Sequence, residues 1–268
     1  MELPLYQVDA FTNRIFSGNP AAVVLLDDWL PDTTLQAIAA ENNLSETSFF
    51  VRGRERPMLR WFTPCCEVKL CGHGTLAAGW VYFHHVDPRA ARVVFDSQSG
   101  PLTVSRQAEQ LTLDFPRQQL QSLAIPAALG QALGAAPVSL FAATDDWLAL
   151  FADADSIRAL QPRFELLKDF PCRGLMATAP GDDCDFVSRF FAPRVGIDED
   201  PVTGSAHTSL VPFWADRLGK KQLHARQLST RGGELRCELQ GKRVLMSGAA
   251  RLYLQGTILL DDQTLREP

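Results

Sequence analysis

Apolar and polar positions alternate from Leu5 to Phe11, a period of two that predicts a strand, and the polar pair Thr12-Asn13 ends it. Gly18-Asn19-Pro20 marks a turn before Ala21 to Leu26, an apolar, β-branched run that predicts a second strand. The period then changes. Leu35, Ile38, Ala39 and Asn42 fall on helical spacing, so a helix opens at Pro31-Asp32-Thr33 with a cap and stops at Asn42-Asn43. Leu44 to Val51 reads as a strand with a polar start and a buried end, and a longer helix is expected from Gly74 or Thr75 to His84-His85, histidines that complement the helix dipole. Val93–Phe95, Leu102–Val104 and Leu111–Phe115 are predicted strands, and Pro116 to Pro137 is a linker with a small helix. The second half predicts a strand at Trp147–Phe151, a helix at Ser156–Leu160, strands at Gly174–Ala179 and Phe186–Phe191, and a helix from Ser205 to Leu218. Strands at Glu234–Leu239, Val244–Ser247 and Ala250–Leu254 follow, with Thr257–Leu260 after Gly256.

One pattern occurs twice. Leu59-Arg60-Trp61-Phe62-Thr63-Pro64 leads to Glu67, then Cys71-Gly72-His73-Gly74-Thr75 and the small, apolar Leu76-Ala77-Ala78-Gly79-Trp80. Ser188-Arg189-Phe190-Phe191-Ala192-Pro193 leads to Asp198-Glu199-Asp200, then Thr203-Gly204-Ser205-Ala206-His207 and another apolar run. A duplicated unit predicts two similar lobes whose equivalent loops can face each other. A glycine turn opening a helix aims unpaired N–H groups and the positive end of a dipole at one spot, so two such turns would hold an anion, most simply a carboxylate. Singly, Gly72 and Gly204 are ordinary turn glycines; their matched surroundings favour a site. Arg60 and Arg189 recur with the strands and read as lobe-stabilising, His207 as a site-supporting group or a turn residue, and Asp9, Asn19 and Asp96 as supports.

Composition narrows the function classes. The 268 residues are 46% hydrophobic and 21% charged, enough for packed cores, with a net charge of −5 and no Lys/Arg-rich run. Nucleic acid or an anionic membrane is therefore not the expected partner. No span approaches the roughly 20 apolar residues of a membrane helix, and the N-terminus lacks a basic-then-apolar leader, so a cytoplasmic location is expected. Cys65, Cys66, Cys71, Cys172, Cys184 and Cys237 form no disulfide framework and are expected reduced. Cys65, Cys66, Cys71 and His73 crowd together but contain no Cys-x-x-Cys pair, so no metal is assigned.

Asp9-Ala10-Phe11-Thr12, Gly18-Asn19-Pro20-Ala21, Asn43-Leu44-Ser45-Glu46-Thr47, Phe62-Thr63-Pro64, Glu67 to Thr75, and Glu199-Asp200-Pro201-Val202-Thr203-Gly204-Ser205-Ala206-His207 resemble, in order and spacing, the PhzF family of phenazine-biosynthesis-like isomerases. The resemblance covers essentially the whole chain. It implies an α+β, diaminopimelate-epimerase-like fold: two similar lobes, each a β-barrel-like sheet around a central helix, with the active site in the cleft between them. The lobes are expected at 1–117 and 118–256, with the terminal strand, 257–268, a candidate to complete the first. It also implies no metal, nucleotide or organic cofactor, a homodimer, and isomerisation of a dihydro-3-hydroxyanthranilate by moving a proton between ring carbons. The family's catalytic glutamate falls on Glu46, which pattern alone reads as a solvated strand-end residue, and its site histidine, aspartate and serine fall on His73, Asp200 and Ser205. The phenazine-pathway member has no cysteine at the place of Cys71 and a proline at that of Gly74, so the pocket differs here.

The chemistry asks one carboxylate to act as base and then as acid, and removal from water makes a carboxylate a stronger base. Glu46 takes that role. His73 and Asp200 are expected to bind the substrate's hydroxyl and amino groups, and Ser205 with the turn N–H groups of Gly72, Gly74, Gly204 and Ala206 its carboxylate. Racemases of this fold place one cysteine before each turn; here Cys71 is matched by Thr203, too poor a base, so two-thiol chemistry is disfavoured. A one-thiol mechanism with Glu46, or a small-molecule binder without turnover, are the alternatives.

Overall fold

The computed structural model describes residues 1–53 and 55–261. By compactness the chain forms two units, one of Met1–Asp114 with the described residues from Ser247 onward, the other Phe115–Met246. Residues 262–268 of the expected closing strand lie outside the described residues.

In the first unit β1 (Glu2–Ala10) and β2 (Asn19–Leu26) are antiparallel, and α1 (Asp32–Asn42) returns the chain so that β3 (Thr47–Val51) runs parallel to β2. β4 (Met58–Phe62) is antiparallel to β3, and β5 (Glu67–Val68) folds back on β4. After α2 (Gly72–Val81), β6 (Arg92–Ser97) lies parallel to β4, with β7 (Gly100–Gln107) and β8 (Gln110–Pro116) as antiparallel neighbours.

The second unit opens with β9 (Gln121–Leu123), α3 (Leu129–Leu133), β10 (Ser139–Ala142), β11 (Asp146–Leu150), α4 (Ala154–Arg158) and α5 (Phe164–Leu167). It continues with β12 (Gly174–Pro180), β13 (Phe186–Ala192), β14 (Ile197–Asp200), α6 (Gly204–Leu218), β15 (Gln222–Gln227), β16 (Gly233–Gln240) and β17 (Arg243–Gly248). From β10 to β16 it repeats the pairing sense of β1 to β7: β10/β11 antiparallel, β11/β12 parallel, β12/β13 and β13/β14 antiparallel, β13/β15 parallel, β15/β16 antiparallel. The duplication read from one motif thus extends through the strand order. β18 (Ala250–Leu259) is one unbroken strand across Gly256, antiparallel to β1 from Glu2 opposite Leu259 to Ala10 opposite Ala250.

Each unit is organised around a deeply buried helix. Leu76, Ala77, Ala78 and Val81 of α2 are fully buried against β1, β2, β3 and β7, as a run apolar all round must be. In α6 every residue from Ala206 to Ala215 is buried. Pro212 lacks the N–H that would bond the Thr208 carbonyl, and the Gln118 N–H donates to that carbonyl instead, at 2.9 Å. Outside these helices, α1 closes a second core with Leu35, Ile38 and Ala39 on Phe49, Val51 and Phe62, and α3, α4 and α5 cover Leu175, Ala177 and Phe191.

The two arginines of the repeat carry the same bond in both units. Arg60 forks onto Glu67 at 2.7 and 2.8 Å and lies 5.0 Å from the Phe62 ring centre; Arg189 forks onto Glu199 at 2.7 and 2.8 Å, 5.0 Å from that of Phe191. Each ties a long strand to the short one before a glycine turn, the stabilising role expected of them.

The pattern missed β5, β9, β10, β14, β15 and α5. β15 reads Gln-Leu-His-Ala-Arg-Gln, with only Leu223 and Ala225 as buried apolar positions, so its alternation is too weakly hydrophobic to register. The expected cap of α1 also differs: Pro31 occupies the N-cap without a side-chain bond, and Asp32 pairs with Arg60 at 2.8 Å. Beyond Val81 the chain makes a π-helical turn over Tyr82–Val86, where His84 stacks on Trp80 and its Nδ1–H donates to the Trp80 carbonyl, in the last turn of α2, at 2.7 Å. Among the described residues no helix is long and apolar enough to cross a membrane.

Two helical glycines give opposite expectations. A Cβ on Gly79 would sit 2.7 Å from Val104 Cγ1, whereas one on Gly130 would have its nearest neighbour at 3.4 Å. Gly79→Ala should destabilise by about 1–3 kcal/mol through overpacking, and Gly130→Ala should be neutral or stabilising by up to about 1 kcal/mol through helix propensity. Denaturant titration measures both, and equal effects would show that the approach of α2 to β7 is not tight.

Candidate active site

In the first unit the site grows from the start of α2. Cys71, in extended conformation, is its N-cap, and its Sγ accepts the Gly74 N–H at 3.3 Å, while Thr75 Oγ1 donates to the Cys71 carbonyl at 2.5 Å. A Cβ on Gly74 would lie 2.7 Å from Ser48 Oγ and 2.9 Å from Trp61 Cδ1, so only glycine lets the turn rest on β3 and β4. Ser48 Oγ donates to the Gly74 carbonyl at 3.1 Å and locks the turn to β3.

Glu46 immediately precedes β3, and the lock carries its Oε2 to 3.1 Å from His73 Nε2, an ion pair without hydrogen-bond geometry. The side chains are 12% and 4% exposed, so this is a buried charged contact. On its other side His73 Nδ1 lies 3.1 Å from the Asn19 amide, which offers its NH2 or, turned over, its carbonyl oxygen. Burial opposes the imidazolium, but Cys71 and Glu46 outweigh it and hold His73 well above its ordinary pKa. Burial also pushes the Cys71 thiol up to about 11, so it is neutral near neutrality and Glu46 supplies the charge felt by His73 there. The Asn19 contact gives a site role to a residue expected only as a support. Asp9, buried, accepts the Phe16 N–H at 2.9 Å and holds the loop before Asn19.

In the second unit Thr203 stands at the N-cap of α6 but makes no capping bond, because its hydroxyl is donated to Asp200 Oδ2 at 2.5 Å. Gln227 of β15 completes the turn, accepting the Thr203 N–H at 2.8 Å and donating to the Asp200 carbonyl at 2.6 Å. Ser205 holds the place that His73 holds in the first turn, and its Oγ accepts from Arg173 Nη2 at 3.2 Å. His207 corresponds to Thr75: its Nδ1 donates to the Thr203 carbonyl at 2.8 Å, as Thr75 donates to that of Cys71. It is therefore a turn residue. Burial pushes His207 down to about 4, and its Nε2 has no partner among the described residues.

Glu46 and His73 are thus in direct contact in one unit, while Asp200 and Ser205 belong to the other, held by Thr203, Gln227 and Arg173. Gly74 departs from its expected part, since its N–H is taken by the Cys71 thiol; what it provides is close approach. Arg173, Asp146 and Gln227 were not picked out from the sequence. Carrying the repeat outward to β12 would have found the first, which precedes by one residue the β12 counterpart of Glu46. Among the described residues Glu46, Cys71 and His73 place one oxygen, one sulfur and one nitrogen within 4.8 Å of one another, a donor set for a soft divalent cation once the thiol has lost its proton. As placed, Sγ caps α2 and the carboxylate faces the imidazole.

The profile of the phenazine biosynthesis-like protein family, PhzC-PhzF, matches residues 8–256. A Pseudomonas aeruginosa protein named as an uncharacterized isomerase is 52% identical over 260 residues, covering 97% of this chain and 100% of that protein. The crystal structure of a PhzF-family protein from Enterococcus faecalis superposes with a TM-score of 0.94 at 43% identity, covering 97% of this chain and 100% of that one. That of a probable proline racemase from Agrobacterium radiobacter, at 13% identity and a TM-score of 0.62 over 97% of this chain and 93% of that one, shares the fold.

Burial of His207 has a pH signature. The unfolded histidine takes its proton near pH 6.5 and the folded one only near 4, so its contribution is fully present above about pH 6.5 and is lost as pH falls toward 4. His207→Thr, which copies the first turn, should remove up to about 1.4 kcal/mol per pH unit from the acid slope of unfolding free energy. Denaturant titrations at pH 7, 6 and 5 read this, and unchanged slopes would overturn the neutral, buried assignment.

Proposed function

The chain belongs to the phenazine biosynthesis-like family and is an isomerase; from that premise we propose that it moves a proton between carbons of a small, carboxylate-bearing, dihydro-hydroxyanthranilate-like substrate, using Glu46 as acid and base and no cofactor. The observation that carries the reading is the buried contact of Glu46 with His73. Glu46 takes the proton from carbon, holds it, and returns it at another carbon. His73, kept cationic by the adjacent carboxylate, fixes the orientation of Glu46 and donates to the substrate oxygen on which charge develops.

Asp200 orients the substrate's amino group, and Ser205 with the N–H groups of Gly72, Gly204 and Ala206 takes its carboxylate. Because Thr203 spends its hydroxyl on Asp200, no side-chain cap competes for the first N–H groups of α6, which supports that assignment. Against thiol chemistry stand the Cys71 pKa of about 11, its use as a cap, and Thr203 at the matching position. A cytoplasmic homodimer is part of the same proposal, and sedimentation of the purified protein tests the oligomeric state.

The test is NMR-detected exchange of carbon-bound hydrogen in deuterated buffer, on dihydro-3-hydroxyanthranilate and a panel of small amino, hydroxy and cyclic carboxylic acids. The wild type should exchange at least one of them. Glu46→Gln should lose at least about 100-fold in rate with binding retained, and Cys71→Ser should still exchange. Exchange that survives Glu46→Gln but not Cys71→Ser would install the thiol instead, and binding without exchange would make the protein a binder.

A further inference from the structure

Arg173 sits one residue before β12, and it is built into the sheet rather than draped over it. Asp146, the first residue of β11, pairs with Gly174 in the parallel register of β11 and β12, which brings its carboxylate alongside Arg173. Arg173 Nε donates to Asp146 Oδ1 at 2.9 Å and Nη2 to Oδ2 at 2.5 Å. Asp146 is 7% exposed, and burial raises its pKa in spite of the arginine. The guanidinium also lies 5.5 Å from the ring centre of Phe190. Gly174 admits that ring, since a Cβ there would be 2.3 Å from Phe190 Cζ.

A salt bridge of purely structural use would be complete with the fork. Here Nη2 goes on to the Ser205 hydroxyl at 3.2 Å, Nη1 has no partner among the described residues, and 40% of the side chain is exposed. The guanidinium is therefore fixed along one edge by a buried acid and across one face by a ring, with Nη2 turned to Ser205 and Nη1 unspent beside it. A carboxylate accepts through two oxygens, so a pre-oriented Nη1 and the neighbouring Ser205 hydroxyl can serve one each. The start of α6, where Ser205 stands, adds about half a positive charge from the helix dipole, so a second anion beside Asp146 is not left uncompensated.

We propose that Arg173 binds the substrate's carboxylate and sets the preference of the site for acids, with Asp146 as its positioning residue. Nη1 donates to one carboxylate oxygen, and Ser205 donates its hydroxyl hydrogen to the other while accepting from Nη2, whose two hydrogens serve Asp146 and Ser205. The choice of a carboxylate as ligand rests on the isomerase reading; the arginine's geometry does not.

Calorimetric titration of wild type, Arg173→Gln, Arg173→Lys and Asp146→Asn with benzoate, anthranilate and 3-hydroxyanthranilate, and with the amide of each, tests this. The wild type should bind at least one acid about tenfold or more tighter than its amide. Arg173→Gln should abolish that preference, with a circular dichroism spectrum unchanged from the wild type reporting an intact fold. Arg173→Lys, with the charge but not the fork, should recover part of it, and Asp146→Asn should weaken it by freeing the guanidinium. A wild type without acid preference, or Arg173→Gln that keeps it, overturns the inference. Glu46-dependent exchange is read separately: exchange with an Arg173-independent preference removes this inference alone, and an Arg173-dependent preference without exchange removes the isomerase reading alone.

Discussion

The missing side chain of Gly74 is what the contact of Glu46 with His73 depends on. Its α-carbon lies where a methyl group would press on Ser48 and Trp61, and the Ser48 hydroxyl closes the gap by donating to its carbonyl. Because turn and strand are joined there, the residue before Gly74 and the residue two before Ser48 must turn toward each other. Those residues are His73 and Glu46. Their 3.1 Å contact follows from where backbone packing sets the two residues.

Duplication explains why the second unit looks so similar in plan and so different in chemistry. Both units keep a buried helix, an arginine–glutamate fork ahead of the turn, and a side chain at the fourth position of the turn that bonds the N-cap carbonyl. These belong to the fold: the fork joins two strands, and the side-chain bond fixes the fourth residue of the helix against its own turn. The positions free of those bonds have diverged. Where one turn carries His73 beside a carboxylate, the other carries Ser205 beside a guanidinium, and the place of Gly74 is taken by Ala206. One unit holds acid–base groups, the other hydrogen-bond donors suited to an anion.

Burial acts on His73, His207 and Cys71, and neighbours decide the outcome. His73 and His207 are both buried, yet one is raised by Glu46 and the other, with only a carbonyl beside it, falls to about 4. Cys71, whose desolvation and neighbouring Glu46 outweigh the pull of His73, stays a thiol. The arrangement thus separates a charged pair suited to proton transfer from polar groups that only hold the turns.

Much of this was written in local sequence. The alternation of Leu5 to Phe11, the helical spacing from Leu35 to Asn42, the glycine turns and the repeated Arg-aromatic-Phe-x-Pro run are properties of short segments, and they determined the two-fold plan, while the ordered motifs that resemble the PhzF family carried the α+β class and the family. The motif also singled out Glu46 and His73, though pattern alone made Glu46 a solvated strand end. What local sequence could not contain is contact between distant segments. Asn19 meeting His73, Gln227 meeting Thr203 from a strand too polar to be noticed, and Asp146 meeting Arg173 across a parallel register all depend on how strands align. Likewise only packing decided that Cys71 is a cap, that Gly74 spends its N–H, and that His207 is neutral, because burial and hydrogen-bond partners belong to the folded chain and not to any one stretch of it.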